Sequence, residues 1–203
     1  SCVKGFCPSF VTVEGGALRK GKGGAKEAGD EFRPVPAPIV PALGETFGVL
    51  VTGVGGTGVI TVGQILAMAA HLEGKGVSVL DMSGLAQKYG AVMSHVRIAQ
   101  SAADVHVARL GTGDARLVIG CDLVVTASGD ALDKMSAGKT RALVNATTSP
   151  TAAFVKNPDW QLPGSNLQQD IANACGGSEA EFVPAAELAT ALMGDSIATN
   201  MFM

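Results

Sequence analysis

The chain has 203 residues, a net charge of −3 and a charged fraction of only 16%, where soluble domains usually have about 25%. This length suits one domain with a short appendage, and the 47% apolar fraction excludes an intrinsically disordered chain. The slightly acidic balance argues against nucleic-acid binding, and no apolar run reaches the roughly 20 residues of a membrane-spanning helix.

The beginning of the chain differs in character from the rest. A cysteine-containing segment with a possible strand over Ser9–Val13 leads into a Gly- and Lys-rich stretch and then a Pro-rich stretch, residues 17–33 and 34–41. Such compositions are typical of flexible linkers and semi-rigid spacers. We therefore expect an irregular N-terminal segment over residues 1–43, followed by a domain over residues 44–203.

Apolar periodicity predicts alternating strands and helices in this domain. The predicted strands are Gly48–Thr52, Val77–Asp81, Val92–Ile98, Val105–Leu110, Asp122–Thr126, Arg141–Asn145 and Glu181–Pro184. The fourth of these is a possible antiparallel partner of the third. The predicted helices are Val59–Glu73, Ala131–Ala137, Leu167–Cys175 and Ala185–Met193. Because strand–helix–strand units build parallel sheets, the predicted fold class is α/β, a Rossmann-like three-layer domain with a mostly parallel sheet and a mixed edge.

A glycine-rich turn follows the first predicted strand. Gly53-Val-Gly-Gly-Thr-Gly58 matches G-x-G-x-x-G between a strand and a helix, and Asp81 follows near the usual place of a ribose-binding acid. Glycines let a phosphate approach the backbone at the positive end of the helix. The candidate phosphate or anion site therefore comprises Gly53, Gly55, Gly56, Thr57 and Gly58. NAD or FAD, another phosphate or anion, and a purely structural turn all stay open as interpretations.

A polar segment, Ser83–Gly90, leaves the second predicted strand at the carboxyl edge of the sheet, where α/β proteins bind ligands. Lys88 in this segment and Arg97 in the next strand are candidate donors to a phosphate or carboxylate. The alternative is a polar loop and a strand that face a partner protein.

The four cysteines fall into two groups. Cys2 and Cys7 could supply half the ligands of an iron–sulfur cluster, or they could be reduced structural cysteines. Cys121 and Cys175 adjoin apolar runs and are predicted core thiols. With no secretory signal pattern at the N-terminus, a reducing cytoplasm is the expected location. No nucleophile–base pattern stands out, so no catalytic residue is predicted.

Three stretches resemble one enzyme family. Residues 53–60 resemble the glycine signature of the gamma subunit or domain of 2-oxoacid:ferredoxin oxidoreductases. Residues 84–97, Gly-Leu-Ala-Gln-Lys-Tyr-Gly-Ala-Val-Met-Ser-His-Val-Arg, are similar to the gamma portion of the fused indolepyruvate ferredoxin oxidoreductases. Residues 1–16 resemble the segment that joins the thiamine-diphosphate-binding part to that portion. Thr57 and Tyr89 depart from the family pattern, which has glutamine and glycine there.

This resemblance implies one module of a larger enzyme, and the chain would then be a truncated piece of a longer protein. The family decarboxylates a 2-oxoacid oxidatively on thiamine diphosphate, passes electrons through 4Fe–4S clusters to ferredoxin, and releases an acyl-CoA. Partners are then the other domains or subunits of the same oxidoreductase, with ferredoxin as electron acceptor. Cys2 and Cys7 would belong to an incomplete cluster-binding group. The module would help to assemble the enzyme, would border the CoA path, and would be inactive when isolated.

The resemblance also changes the interpretation of the glycine turn, because the family uses no NAD. Asp81 then caps or orients the loop that follows it. Two alternatives from other functional classes remain. One is a free-standing NAD- or FAD-binding Rossmann domain, and the other is a non-catalytic interaction module with a vestigial glycine turn.

Overall fold

The structure is a computed structural model, and it divides the chain into two units, Ser1–Val35 and Pro36–Met203. The residues that it describes are 14–16, 36–39, 42–84, 90–147 and 164–203. The predicted strand Ser9–Val13 lies outside them. Residues 36–39 are exposed and have no regular secondary structure. The predicted domain boundary near residue 43 stays a prediction.

Six strands of the described part form one sheet in the order β2-β3-β1-β4-β5-β6. They are β1 (Phe47–Val54), β2 (Gly76–Ser83), β3 (Ala91–Ala99), β4 (Ala115–Gly120), β5 (Arg141–Asn145) and β6 (Ala180–Val183). β1, β4, β5 and β6 pair in parallel, whereas β3 runs antiparallel to both of its neighbours, β1 and β2. Five strands therefore share one direction, which confirms the mostly parallel sheet with a mixed edge.

β1 lies at the centre of the sheet and is buried on both faces. Its side chains alternate, so Val49 and Val51 join one apolar cluster while Leu50 joins another on the opposite face. The near-continuous run of Val and Leu follows from this, because a parallel central strand has no solvent-facing side. Helices flank the sheet, which confirms the Rossmann-like α/β fold.

The described helices are α1 (Val59–Leu72), α2 (Leu123–Thr126), α3 (Gly129–Leu132), α4 (Gly164–Cys175) and α5 (Ala185–Met193), and a 3-10 helix follows at Ser196–Met201. α1 packs on the face of the sheet that carries Val49 and Val51, whereas α2 and α4 contribute to the cluster around Leu50. None of the helices in the described ranges combines the length and the apolarity that crossing a membrane requires.

α1 ends at the C-cap Glu73, which is followed by a left-handed glycine. Gly74 has a φ of 72°, its N–H donates to the carbonyl of His71, and the N–H of Lys75 donates to the carbonyl of Ala70. This pair of bonds is a Schellman motif, in which a left-handed glycine satisfies the last carbonyls of the helix. The predicted helix Val59–Glu73 is confirmed, and so are the predicted helices at Leu167–Cys175 and Ala185–Met193.

Two predicted strands are wrong. Val105–Leu110 contains no strand, because both edges of β3 are already paired with β1 and β2. Asp122–Thr126 forms α2, since the Asp122 side chain accepts the N–H of Val125 at 2.9 Å and caps a helical turn. The strand itself comes earlier, as β4. The predicted helix Ala131–Ala137 is shorter and begins earlier, as α3.

Candidate functional site

The glycine turn joins β1 to α1 at the carboxyl edge of the sheet. The N–H of Gly55 donates to the carbonyl of Gly90 at 2.8 Å, which ties the turn to the residue before β3. Both the N–H and the Oγ1 of Thr57 donate to the carbonyl of Val54, at 3.1 and 2.8 Å. Thr57 therefore folds back on the end of β1 and closes the turn.

Two kinds of constraint require glycine here. Gly56 and Gly58 have φ values of 101° and 83°, a region that other residues rarely adopt. Gly53 is needed for close packing instead, because a Cβ there would lie 2.9 Å from Cγ2 of Val59 and 3.1 Å from Cβ of Cys121. The motif thus fixes a tight junction between β1, α1 and the end of β4.

The first turn of α1 points its backbone N–H groups into this region. Gly58 is the N-cap and offers no side-chain cap. A helix N-terminus without a cap carries partial positive charge and unsatisfied donors. The side chain of Asn200 packs on Gly58, since a Cβ on Gly58 would lie 2.8 Å from both Cβ and Cγ of Asn200.

A cavity of about 360 Å³ lies beside the turn, at the carboxyl ends of β1, β4 and β5. This is the edge where the strand order reverses around β1, the usual ligand position in open α/β sheets. From the sheet edge it is lined by Gly56, Thr57, Cys121, Asn145 and Thr147. From the C-terminal part of the chain it is lined by Ala186, Ser196, Ile197, Thr199 and Asn200.

The lining of this cavity is polar but uncharged. Among the described residues that line it, there is no Asp, Glu, Lys, Arg or His. Burial, and to a smaller extent the neighbouring Asp122, raises the pKa of the Cys121 thiol to about 11. The thiol is therefore protonated at neutral pH, and the cavity offers hydrogen-bonding groups without a charge. Cys121 and Cys175 are both buried, which confirms them as core thiols.

Asn145 is the site residue that the motif search missed. It is buried at the end of β5, its Nδ2 donates to the carbonyl of Cys121 at 3.3 Å, and its Oδ1 accepts the N–H of Thr147 at 3.2 Å. Ligand-binding residues of α/β proteins lie at the carboxyl ends of parallel strands. The position of Asn145 at the end of a predicted strand could therefore have identified it.

Arg97 is not brought to the glycine turn. It pairs with Gly48 at the opposite end of β1, and its Nη2 donates to Oδ2 of Asp114 at 2.7 Å and to the carbonyl of Arg109 at 2.9 Å. Asp81 is separated from β1 by the whole of β3, is exposed, and accepts a hydrogen bond of 3.4 Å from Gln64. Lys88, Cys2 and Cys7 lie outside the described residues.

Comparison with known proteins identifies the family. The family model described as pyruvate ferredoxin/flavodoxin oxidoreductase matches residues 48–203. The chain belongs to this family. The likeness to 2-oxoacid:ferredoxin oxidoreductases that the motifs indicated is therefore confirmed at the level of the family.

Two curated relatives and one solved structure extend the comparison. The chain is 33% identical over 73 residues to indolepyruvate oxidoreductase subunit IorB of Thermococcus kodakarensis and of Pyrococcus horikoshii, a stretch covering 36% of this chain and 35% of each relative. It thus matches about a third of the length of these relatives. The pyruvate oxidoreductase subunit PORC of Thermotoga maritima shares the fold, with a TM-score of 0.52, 19% identity, and coverage of 76% of this chain and 71% of that one.

Proposed function

We propose that this chain is the gamma domain of an indolepyruvate-type 2-oxoacid:ferredoxin oxidoreductase. The family match over residues 48–203 carries this proposal, and the similarity to two indolepyruvate oxidoreductase subunits favours indolepyruvate among the 2-oxoacids. In this proposal the parent enzyme acts in the cytoplasm, decarboxylates the 2-oxoacid oxidatively to an acyl-CoA and passes the electrons to ferredoxin.

Thiamine diphosphate and the 4Fe–4S clusters belong, in this proposal, to other parts of the enzyme. The described residues bring no group of three His, Cys, Asp or Glu side chains together as metal ligands. They offer no donor set for a cluster or for the metal ion of thiamine diphosphate. Cys2 and Cys7 keep their candidate role as part of a cluster-binding group whose other members lie elsewhere.

The outer side of α1 supports an assembly role. α1 contains no Asp, Glu, Lys or Arg, and it exposes Ile65, Met68 and Leu72 by 47%, 58% and 79%. These positions lie on one face of a helix, opposite the face that packs on the sheet. A helix that is apolar on both sides is suited to packing between two layers of protein, so another domain or subunit of the oxidoreductase would cover it.

A role beside the CoA path rests on the uncharged cavity at the glycine turn. The pantetheine arm of CoA is an uncharged chain with two amides, which suits neutral partners such as Asn145 and Thr147. Lys88 stays a candidate for the phosphates of the same molecule. Arg97 is engaged with Asp114 at the other edge of the sheet and has no part in this proposal.

Isolation of the native protein tests the proposal directly. An antibody against this segment should capture, from source cells, a polypeptide or complex several-fold larger than 20.4 kDa. The captured protein should contain iron and thiamine diphosphate, and should reduce ferredoxin in the presence of CoA and indolepyruvate. A lone protein of this size, without either cofactor, would overturn the assignment.

The assembly role has its own test within that complex. Met68→Lys places a charge on the exposed apolar side of α1. It should release this domain from its partners where they are separate subunits, or expose it to limited proteolysis where they are fused to it. His71→Lys alters the same helix at an exposed position that is already polar, so it should leave the complex intact. Release by both variants, or by neither, would contradict an interface on this face.

Calorimetry with NAD and FAD tests the alternative function, a free-standing dinucleotide-binding domain. Binding at micromolar concentration that Gly55→Val abolishes would favour a free-standing Rossmann domain. The position of Asp81, with β3 between it and the turn, favours the absence of such binding.

A further inference from the structure

We propose that the outer edge of β2 pairs antiparallel with β2 of a second copy of this chain, so that two six-stranded sheets join about a two-fold axis. β2 is outermost in the strand order, and its outer edge meets no strand in the part of the chain that the structure describes. The contact uses this edge of the sheet and not the outer side of α1.

The two edges of the sheet differ in their protection against pairing. Natural edge strands are usually short, charged, or interrupted by Pro or a bulge, which keeps them from pairing with other chains. β6 follows this rule, with four residues, one of them Glu181, and with Pro184 directly after it. β2 has eight residues, pairs with β3 without a shift in register, lacks Pro and contains a single charged residue, Asp81. β2 is therefore the edge that is suited to accept another strand.

The hydrogen-bond pattern shows which backbone groups of β2 are available. The N–H of Gly84 donates at 3.3 Å to the carbonyl of Ala91, the residue opposite it when the β2–β3 register is continued. Because hydrogen-bonded pairs alternate along an antiparallel ladder, the even-numbered residues of β2 bond to β3. Val77, Val79 and Asp81 therefore direct their N–H and C=O groups to the outer edge, where a further strand would use them.

The charges along this edge select one self-complementary register. Lys75 and Asp81, like the two valines between them, lie on one face of β2, because side chains alternate along a strand. A two-fold axis at Ser78 places Val77 of each copy opposite Val79 of the other. The same axis places Lys75 of each copy opposite Asp81 of the other. The contact then contains four backbone hydrogen bonds between the valines and two ion pairs.

Both charged groups are available for these ion pairs. Asp81 is exposed and accepts one hydrogen bond of 3.4 Å, from Gln64. The ammonium group of Lys75 donates to a neutral acceptor, Oε1 of Gln100, at 3.0 Å. Among the described residues neither side chain forms a salt bridge. With the axis at Val79, both charges would stay without an opposite charge, so the axis at Ser78 is favoured.

Disulfide cross-linking of the full-length protein tests the pairing. In this register Ser78 lies opposite its own copy in a pair without direct hydrogen bonds, where Cα atoms are about 4.5 Å apart, a distance that a disulfide spans. Ser78→Cys should therefore convert most of the protein to a covalent pair of chains under mild oxidation. Ser83→Cys changes the same residue type on the same strand, but its two copies would be roughly 30 Å apart, so no such pair should form. Mass spectrometry of the linked peptides shows which positions are joined.

Charge reversal in the Ser78→Cys protein tests the register. Asp81→Lys places like charges opposite each other at both ends of the contact and should lower the rate of cross-linking about tenfold. Adding Lys75→Glu restores opposite charges across the axis and should recover the rate. Lys139→Glu changes an exposed lysine outside β2 and is the matched control, so it should leave the rate unchanged.

Any of four results would overturn the pairing. The first is a Ser78→Cys protein that stays a single chain under oxidation. The second is equal cross-linking of Ser78→Cys and Ser83→Cys, because this would indicate random collision. The third is a disulfide from the substituted position to a different polypeptide or to another segment of this chain, since another strand would then occupy the edge. The fourth is an unchanged rate in Asp81→Lys. None of these readouts depends on enzyme activity, so they are separate from the tests of the proposed function.

Discussion

The guanidinium of Arg97 and the carboxylate of Asp114 form an ion pair of 2.7 Å that joins β3 to the residue before β4. The Arg97 side chain is only 14% exposed, and the N–H of Gly111 also donates to Asp114. These hydrogen bonds, first that of Arg97 and then that of Gly111, hold the pKa of Asp114 below its usual value. The charged group of Arg97 is thus engaged in a structural ion pair.

Asp114→Asn should lower the free energy of unfolding at neutral pH by about 1 kcal/mol, because a charge-assisted bond to a largely buried guanidinium is lost. A lowered pKa stabilises the folded state above the ordinary pKa of Asp, and this stabilisation disappears as the pH falls below about 4. Urea denaturation at pH 7 and pH 3 measures both effects, and the variant should match the parent more closely at pH 3.

The exposed ion pair of Arg116 and Glu45, 3.2 Å long, provides the comparison. Glu45→Gln should change the free energy of unfolding by less than about 0.5 kcal/mol, since solvent screens such a pair. A larger effect of Glu45→Gln than of Asp114→Asn would contradict the role given to Arg97.

His95 is buried in β3, where its Nδ1 accepts the N–H of Leu110 at 3.3 Å. The pKa of His95 is lowered from 6.5 to about 4. Burial is the main cause, and three nearby cations lower it further. The cations are Arg109, Lys134 and Arg97. The folded protein therefore keeps this histidine neutral at pH 5, whereas the unfolded chain protonates it.

The folded domain should lose about 2 kcal/mol of stability between pH 7 and pH 5 through His95 alone, because the unfolded state binds the extra proton in that range. His95→Gln should remove this pH dependence of the free energy of unfolding, whatever its effect on stability at pH 7. His106→Gln removes a histidine from an exposed loop and should keep the pH dependence. Denaturation curves at pH 7, 6 and 5 measure this loss of stability. An equal loss in the His95→Gln variant would contradict the role given to His95.

Local sequence patterns predicted most elements because periodicity and glycine stops act over short distances. They failed where two similar apolar runs could each be the same predicted strand, as is true of Leu117–Ile119 and Leu123–Val125. The second run has strand-forming residues. It is nevertheless helical, because the Asp122 side chain caps it with one hydrogen bond and because a helix fits beside β1. Strand propensity is weak where packing decides.

The candidate site shows a second limit. The glycine turn follows from its motif, but the contact between Asn200 and Gly58 joins residues far apart in the chain and has no local signature. Likewise, Arg97 belongs to the next strand after the polar loop, yet the antiparallel course of β3 carries it away from the turn. Strand direction, which the local pattern did not determine, decides which candidates meet.

Gly53→Ala should destabilise the domain by about 1–3 kcal/mol, since the added methyl group has no room between Val59 and Cys121. Gly129→Ala is the matched control, because a Cβ there meets no atom within 4 Å and Ala is the better helix former. Urea midpoints of the two variants should therefore move in opposite directions, or only that of Gly53→Ala should move. Equal losses would show that tight packing at the turn is not the cause.

Asp122→Ala should lower the free energy of unfolding by about 1–2 kcal/mol, because the buried N–H of Val125 loses the side chain that caps α2. Asp122→Asn should recover most of this loss, since Asn is an equally good N-cap. Asp130→Ala removes an exposed acid from the first turn of α3 and serves as the control for loss of charge. Thermal and urea unfolding of the three variants measure the difference. If Asp130→Ala were as destabilising as Asp122→Ala, the cap would not be what turns this strand-like sequence into a helix.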